Sequence, residues 1–207
     1  EKGFKDFINV YDPIRVTDYL FRNKGDLQFK NVTTKWGFDG AGFSNGAAVG
    51  DLDNDGDLDL VVSNLDQEAA IYRNTQMEKH PLASNYLRVK LQGTRLNQSA
   101  WGSKVEMRHN GITQSKYQTP IHGFQSSMED ILHFGLDSTK TVDTLIVHWP
   151  DGKTSIQTNV KANQVLQLDY QSASFFEEED KPVNAMFKEV KDRVSYQHIE
   201  NDFIDFN

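Results

Sequence analysis

The chain has no cysteine among its 207 residues, and this absence excludes several kinds of scaffold and site. Disulfide bonds, zinc sites with cysteine ligands, iron–sulfur clusters and a thiol nucleophile all need that residue. Long apolar runs are absent too, and no stretch approaches the ~18 residues that a membrane-spanning helix requires. Lysine and arginine together number 22 against 30 aspartates and glutamates, which argues against a nucleic-acid partner.

The net charge of −8 is concentrated in two places. Residues 1–170 carry 21 acidic and 18 basic side chains, whereas residues 171–207 carry nine acidic and four basic ones. Five acids of the first part are aspartates that fall within nine positions, at residues 51–59. The acidity therefore marks one loop and one C-terminal tail.

Short runs in which apolar and polar residues alternate predict β-strands along most of the chain. Two of these runs, residues 19–22 and 27–32, are separated by N-K-G-D, which is typical of a hairpin. Further strands are predicted at residues 47–49, 58–62, 70–73, 86–91, 104–108, 144–149 and 165–168. Because no stretch of helical length keeps apolar residues at i, i+3 and i+4, we expect an all-β protein.

An internal repeat predicts how these strands are grouped along the chain. The motif G-x-x-D followed by two apolar residues occurs at residues 3–8 and again at 56–61, and each copy precedes an aromatic strand that ends in R-N. The spacing of about 50 residues fits one four-stranded blade of a β-propeller. The next motif, F-K-x-V at residues 29–32, returns only at 187–190, which predicts an inserted or appended domain between the copies.

The most specific motif is D-L-D-N-D-G-D-L-D over residues 51–59. Carboxylates at loop positions 1, 3, 5 and 9 converge if the chain turns sharply, and Gly56 provides the backbone freedom for that turn. The main-chain carbonyl of Asp57 adds a neutral oxygen, and a donor set made only of oxygen favours Ca²⁺ over Zn²⁺ or Cu²⁺. We therefore predict a calcium site with five ligand residues. They are Asp51, Asp53, Asp55, Asp57 (through its carbonyl) and Asp59.

The surroundings of this loop distinguish it from an EF-hand. An EF-hand needs a bidentate acid at loop position 12, where this chain has Val62, and a helix on each side. Here the flanking segments are predicted strands, and Asp59 at position 9 closes the site instead. A strand–loop–strand arrangement favours a calcium loop of the β-propeller type.

The motifs of this chain resemble those of two protein families. Residues 44–60, which contain the aspartate loop, resemble an FG-GAP (VCBS-type) repeat, the unit of integrin-α-like propellers. The later motifs N-Q-S-A-W-G-S-K-V, H-F-G-L, W-P-D-G and N-V-K-A-N-Q resemble an ASPIC/UnbV domain. The same pairing occurs in the cartilage acidic protein family and in large bacterial surface or secreted repeat proteins. The resemblance implies partial β-propeller blades followed by a β-sandwich-like domain.

The expected division of the chain has three parts. Residues 1–83 form the FG-GAP/VCBS region, residues 84–170 the ASPIC/UnbV β-domain, and residues 171–207 an acidic linker with the start of a further repeat. That last feature predicts that the chain is a piece of a longer protein. The first repeat copy departs from the pattern because Lys2 stands where a ligand is expected, so we expect no metal there.

Catalytic motifs are weak by comparison. G-x-S-x-G at residues 42–46 has the form of a nucleophile elbow, but it precedes a strand instead of following one. None of the six histidines lies within four residues of another, so the spacing of a zinc site is missing. Glu129 and Asp130 are adjacent and would face opposite ways on a strand. We predict no catalytic residue.

We expect a non-enzymatic, calcium-binding module that recognises a protein or a glycan. Its expected location is extracellular or on the cell surface (periplasm or outer surface if bacterial), without a membrane-spanning segment. The alternative is an enzyme or accessory protein that acts on polysaccharide, with Trp101 and Trp149 stacking on sugars. A purely structural spacer is a third interpretation.

Overall fold

A computed structural model describes residues 14–38 and 40–175, which form β-strands connected by turns and a few short helices. All of these residues belong to one compact unit, Glu1–Phe176. The prediction of an all-β fold is confirmed. Three expectations lie outside the described residues: the first repeat copy at residues 3–8, the F-K-x-V motif at 187–190, and the tail beyond residue 175.

The N-terminal strands are short and pair in three small antiparallel sheets. They are β1 (Val16–Thr17), β2 (Phe21–Gly25), β3 (Gln28–Asn31), β4 (Ala41–Gly42), β5 (Ser44–Gly50), β6 (Asp59–Asn64) and β7 (Ala70–Tyr72). β1 pairs with β4, β2 with β3, and β6 lies between β5 and β7. In this part of the described chain only Val32 and Val62 are buried hydrophobic residues, so it has little core of its own.

The β2–β3 hairpin turns later than the sequence predicts. The N-K-G-D segment was expected to form the turn, but β2 continues to Gly25 and the turn is made by Asp26 and Leu27. These two residues have φ angles of 48° and 58°. Two consecutive positive φ angles are typical of a primed two-residue turn, whose twist matches that of the flanking strands.

In the described part of the chain, helical structure is limited to short connections. The helix α1 (Gln76–Lys79) makes a single turn after β7, and 3₁₀ turns occupy Thr34–Trp36, Pro81–Ala83 and Tyr170–Ser172. Within the described ranges, no helix has the length and apolar character needed to cross a membrane.

The C-terminal strands are longer and form two sheets. They are β8 (Asn85–Gln92), β9 (Lys104–His109), β10 (Ile112–Tyr117), β11 (Ile131–Asp137), β12 (Thr141–His148), β13 (Thr154–Lys161) and β14 (Gln164–Asp169). One sheet has the order β10-β9-β12-β13 and is antiparallel throughout. The other has the order β11-β8-β14, in which β14 runs parallel to β8.

A single hydrophobic core joins these two sheets. Alternate residues of the strands are buried in it because successive side chains of a strand point to opposite faces. The core residues with no exposed surface are Leu87, Val89, Val105, Met107, Phe134, Leu136, Val142, Leu145 and Val147. This two-sheet arrangement confirms the expected β-sandwich-like domain.

The central strand β8 connects this core to the rest of the molecule. Its residues Leu87 and Val89 are fully buried in the sandwich. Tyr86 and Arg88 alternate with them and lie on the opposite face. Arg88 is nevertheless only 8% exposed, because the aspartate loop of the N-terminal part lies against that face.

Candidate metal centre in the aspartate loop

The aspartate loop connects β5 to β6 and turns sharply at two residues. Asn54 has a φ of 60° and Gly56 a φ of 98°, a region that glycine adopts without strain. The side chains of the loop support this turn locally. Oδ1 of Asp53 accepts a hydrogen bond from the Asp55 amide at 3.3 Å, and Oδ1 of Asp55 accepts one from the Asp57 amide at 2.9 Å.

This turn brings three of the predicted ligand residues together. One carboxylate oxygen each of Asp51, Asp53 and Asp55 lies within 4.8 Å of the other two. At that separation each pair of charges repels by about 1 kcal/mol in a medium like water and by roughly 3–4 kcal/mol at an effective dielectric constant of 20. A cation bound between the three oxygens would reverse this repulsion.

Several oxygens in the loop are buried and have no hydrogen-bond partner among the residues that the structure describes. They are Oδ1 of Asp51, Oδ2 of Asp55 and Oδ1 of Asp57. The Asp51 side chain is only 2% exposed. Because buried polar groups in native proteins almost always have a partner, unpartnered carboxylate oxygens inside an acidic loop fit a metal ligand set.

The carboxylates of Asp57 and Asp59 have other contacts and lie outside the group of three. Asp59 is 2% exposed, and its two oxygens accept hydrogen bonds from the amides of Leu52 at 3.0 Å and Asn74 at 2.7 Å. Oδ2 of Asp57 accepts one from the Met77 amide at 2.9 Å. These bonds fix the end of the loop to the segment that follows β7. Ligation by Asp59 and by the carbonyl of Asp57 stays a prediction.

Burial and the neighbouring carboxylates of the loop both raise the pKa of Asp57. Its pKa is raised, chiefly because burial disfavours the charged carboxylate, while the Met77 amide opposes this shift. The neighbouring charges of Asp55, Asp59 and Asp53 raise the pKa further. The raised pKa of Asp57 therefore reflects its burial first and the neighbouring carboxylates second.

Two arginines contact the loop, and sequence reasoning missed both. Arg73 lies at the exposed side, where its Nε donates to Oδ2 of Asp53 at 2.8 Å and its guanidinium also pairs with Glu78. The bond to Asp53 is the main reason why the pKa of Arg73 is raised. Because both partners are largely exposed to solvent, this pair contributes little to stability.

Arg88 is the buried partner of the loop. Its Nη1 lies 3.0 Å from Oδ2 of Asp51, and its Nη2 donates to both carboxylate oxygens of Glu129 at 2.8 and 3.0 Å. The Arg88 side chain is 10% exposed, compared with 38% for Glu129. The sequence places Arg88 and Lys90 together on the polar face of an alternating strand, so it does not single out Arg88 as the buried one.

A second contact attaches the loop to the sandwich at Gly56. A Cβ atom at this position would lie 2.0 Å from Cε1 of Tyr86, so only glycine fits there. The carbonyl of Gly56 is 2.9 Å from Nε2 of His133, whose ring stacks on Tyr86 with 5.8 Å between centroids. Burial lowers the pKa of His133. A cavity of about 300 Å³ borders this contact and is lined by Asp57, among other residues.

The remaining sequence candidates for catalysis or sugar binding are Ser44, Trp101 and Trp149. Ser44 of the G-x-S-x-G motif opens β5, and among the described residues its hydroxyl contacts Asp18 and Asn64 but no histidine. Trp149 is 3% exposed and donates its indole N–H to Ser155 at 2.9 Å, so it is a core residue and no sugar platform. Trp101 is half-buried.

The fold and the loop define a class of protein. Residues 3–62 match the family of FG-GAP-like repeats, and residues 93–175 match the ASPIC and UnbV family. The chain combines an FG-GAP-like repeat with an ASPIC/UnbV domain, and the resemblance seen in its motifs is confirmed. This pairing indicates an extracellular repeat or recognition module.

Three curated relatives of this chain share the name cartilage acidic protein 1. The chain is 30% identical to cartilage acidic protein 1 of Mus musculus over 165 residues, which cover 75% of this chain and 24% of the relative. It is 31% identical to the Homo sapiens protein of that name over 166 residues, with the same coverage. The Xenopus tropicalis protein is 33% identical over 136 residues, which cover 62% of this chain and 20% of that protein. The chain spans about a quarter or less of these curated relatives.

Proposed function

We propose that the aspartate loop binds Ca²⁺ and that the chain is a non-enzymatic recognition module rigidified by this ion. One observation carries the proposal: three aspartate oxygens converge within 4.8 Å, in a loop that also contains buried oxygens without hydrogen-bond partners. The residues that would hold the ion are Asp51, Asp53 and Asp55, with the Asp57 carbonyl and Asp59 completing the set predicted from the spacing.

The choice of Ca²⁺ follows from the donor atoms and the expected compartment. Ca²⁺ accepts six to eight oxygen ligands in a flexible arrangement, whereas Mg²⁺ demands near-octahedral geometry and keeps much of its water. Extracellular modules bind Ca²⁺ with dissociation constants of about 10⁻⁴–10⁻³ M, which suits a partly exposed loop. The ion would fix the position of the β5–β6 connection in a part of the chain with few buried apolar residues.

A calcium titration followed by thermal unfolding tests the metal site. Ca²⁺ at about 100 times its dissociation constant stabilises the folded state by about 2.7 kcal/mol, so the melting temperature of the wild type should rise relative to that in chelator. Asp55→Asn keeps the Oδ1 acceptor for the Asp57 amide but removes the charge, and Asp53→Ala removes a second ligand. Both variants should lose most of the calcium response.

The matched control is Asp66→Asn. It removes one negative charge from the turn between β6 and β7, near the aspartate loop in the sequence, at a φ of 53° that asparagine tolerates. This variant should keep the full calcium response. Identical melting curves of the wild type in calcium and in chelator would refute the metal site.

The recognition role requires a separate experiment. The wild type should be applied to panels of glycans and of extracellular matrix proteins in the presence of calcium, with both binding and cleavage measured. Binding without turnover supports the proposal. Turnover that is lost when a carboxylate is replaced would favour the alternative enzyme that acts on polysaccharide.

We also propose that the repeat region ends at residue 83 and that the ASPIC/UnbV domain begins at residue 84. The 3₁₀ turn Pro81–Ala83 directly precedes β8, the first strand with residues in the sandwich core, which supports this division.

A further inference from the structure

Arg88 belongs to the sandwich, but its side chain reaches into the aspartate loop of the repeat. The guanidinium bridges Oδ2 of Asp51 on one side and the carboxylate of Glu129 on the other. With the Asp51 side chain 2% exposed and that of Arg88 10% exposed, solvent screens this pair poorly. A buried charge pair of this kind depends on its geometry, because neither group can exchange its partner for water.

The two oxygens of Asp51 have different surroundings. Oδ2 accepts from Arg88, whereas Oδ1 is buried without a partner. Because the two oxygens belong to one planar carboxylate, the hydrogen bond from Arg88 to Oδ2 also sets the direction in which Oδ1 points. Arg88 therefore orients the proposed ligand Asp51, as outer-sphere hydrogen-bond partners orient the ligands of known metal sites.

The loop touches the same face of the sandwich a second time. Gly56 fits against the ring of Tyr86, and the carbonyl of Gly56 bonds to His133 of the neighbouring strand β11. Tyr86 and Arg88 are two residues apart on β8 and share one face. The loop is thus held by the sandwich at its first aspartate and at its central turn.

We propose that Arg88 is a positioning residue for the cation site, so that cation binding by the aspartate loop and docking of that loop on β8 strengthen each other. The inference rests on the proposed function, because it concerns the same site. Linkage makes the effect reciprocal: if docking tightens cation binding, the cation must stabilise docking by the same factor.

Two physical effects of removing Arg88 oppose each other, and the test is built on this opposition. Loss of a positive charge near the loop makes the local potential more negative, which by itself tightens Ca²⁺ binding. Loss of the hydrogen bond to Oδ2 releases Asp51, which weakens binding. Replacement of outer-sphere partners typically lowers metal affinity by about 10- to 100-fold, so we expect the positioning effect to dominate.

The experiment compares the Ca²⁺ affinity of the wild type, Arg88→Met and Lys90→Met by calorimetry. Lys90 is the matched control because it is exposed and lies on the same face of β8, about 7 Å further along the strand. Arg88→Met should bind Ca²⁺ about 10-fold or more weakly, whereas Lys90→Met should bind within about 2-fold of the wild type. Equal or tighter binding by Arg88→Met would overturn the inference.

Hydrogen exchange provides the second measurement. In the wild type, Ca²⁺ should slow amide exchange in residues 51–59 and also in β8, and the effect on β8 should be lost in Arg88→Met. If Arg88→Met does not fold, Arg88→Lys replaces it; this variant keeps the charge but not the fork that joins Asp51 to Glu129, and its Ca²⁺ affinity should also fall. Wild-type affinity in Arg88→Lys, with β8 still protected by Ca²⁺, would contradict the positioning role.

The two proposals fail in different ways. If the wild type does not bind Ca²⁺, the proposed function is refuted, and the coupling with it. If the wild type binds but β8 does not respond and Arg88→Met binds equally well, only the positioning role is refuted.

Discussion

Gly56 is the residue at which the backbone of the loop and the sandwich come closest. A side chain at this position would destabilise the fold in two ways. The φ of 98° would strain the backbone, and the Cβ atom would lie 2.0 Å from the Tyr86 ring. We predict that Gly56→Ala lowers the free energy of unfolding by about 2–4 kcal/mol, of which roughly 1 kcal/mol is backbone strain and the remainder steric overlap. Urea-induced unfolding measures this loss.

Gly111 provides the comparison for this prediction. It has a φ of 75° in the turn between β9 and β10, but a Cβ atom at this position would meet nothing within 4 Å. Gly111→Ala should therefore lose only the backbone component, about 1 kcal/mol. Equal losses in the two variants would mean that the Tyr86 ring moves aside and that the contact does not constrain the loop.

The residues of the candidate site differ in how well the sequence predicts them. Asp51, Asp53 and Asp55 are found by spacing because their convergence is decided within a single loop. Arg88 is 37 residues from Asp51 and 41 from Glu129, so no local pattern joins them. The sequence also cannot show that the carboxylate of Asp59 accepts the Asn74 amide, because that bond depends on how the chain returns after β7.

At the level of elements, alternation predicts strands that have one buried and one exposed face, and aromatic residues also predict the exposed strands β2 and β3. β9 and β12 alternate in this way and were predicted close to their observed positions. β10 and β13 were missed because most of their side chains are exposed, which leaves no alternation to detect. The parallel pairing of β14 with β8 joins distant segments and has no signature in either strand.

The sandwich core should dominate the stability of the chain. Phe134 of β11 has no exposed surface and lies in the cluster that joins the two sheets. We predict that Phe134→Ala lowers the free energy of unfolding by about 3–5 kcal/mol, because it removes a large apolar group and leaves a cavity. Chemical denaturation followed by tryptophan fluorescence measures the change, since Trp149 lies in the same core.

The control for this substitution is Phe29→Ala in β3. Phe29 is 62% exposed, so its replacement should change stability by no more than about 0.5 kcal/mol. A comparable loss at Phe29 would show that the hairpin β2–β3 carries as much of the folding free energy as the sandwich does.

At the scale of the whole molecule, the described chain has two unequal halves. The buried apolar cluster belongs to the sandwich, whereas the repeat depends on the hydrogen bonds of its loop and on contacts with β8 and β11. The repeat also contains five aspartates within nine residues. The half with the smaller core thus contains the cluster of like charges, and for this reason a bound cation would matter most there.

This arrangement predicts that calcium and ordinary salt act differently on stability. Raising the ionic strength from about 0.01 M to about 0.1 M shortens the Debye length from ~30 Å to ~10 Å. The grouped oxygens of Asp51, Asp53 and Asp55 lie within 4.8 Å of one another, well inside even the shorter length, so NaCl screens their repulsion only weakly.

In chelator, the melting temperature should therefore change little with NaCl, yet rise when CaCl₂ is added at equal ionic strength. Asp55→Asn should keep the weak salt response and lose the calcium response. An equal rise with both salts would assign the effect to general screening of a chain with a net charge of −8.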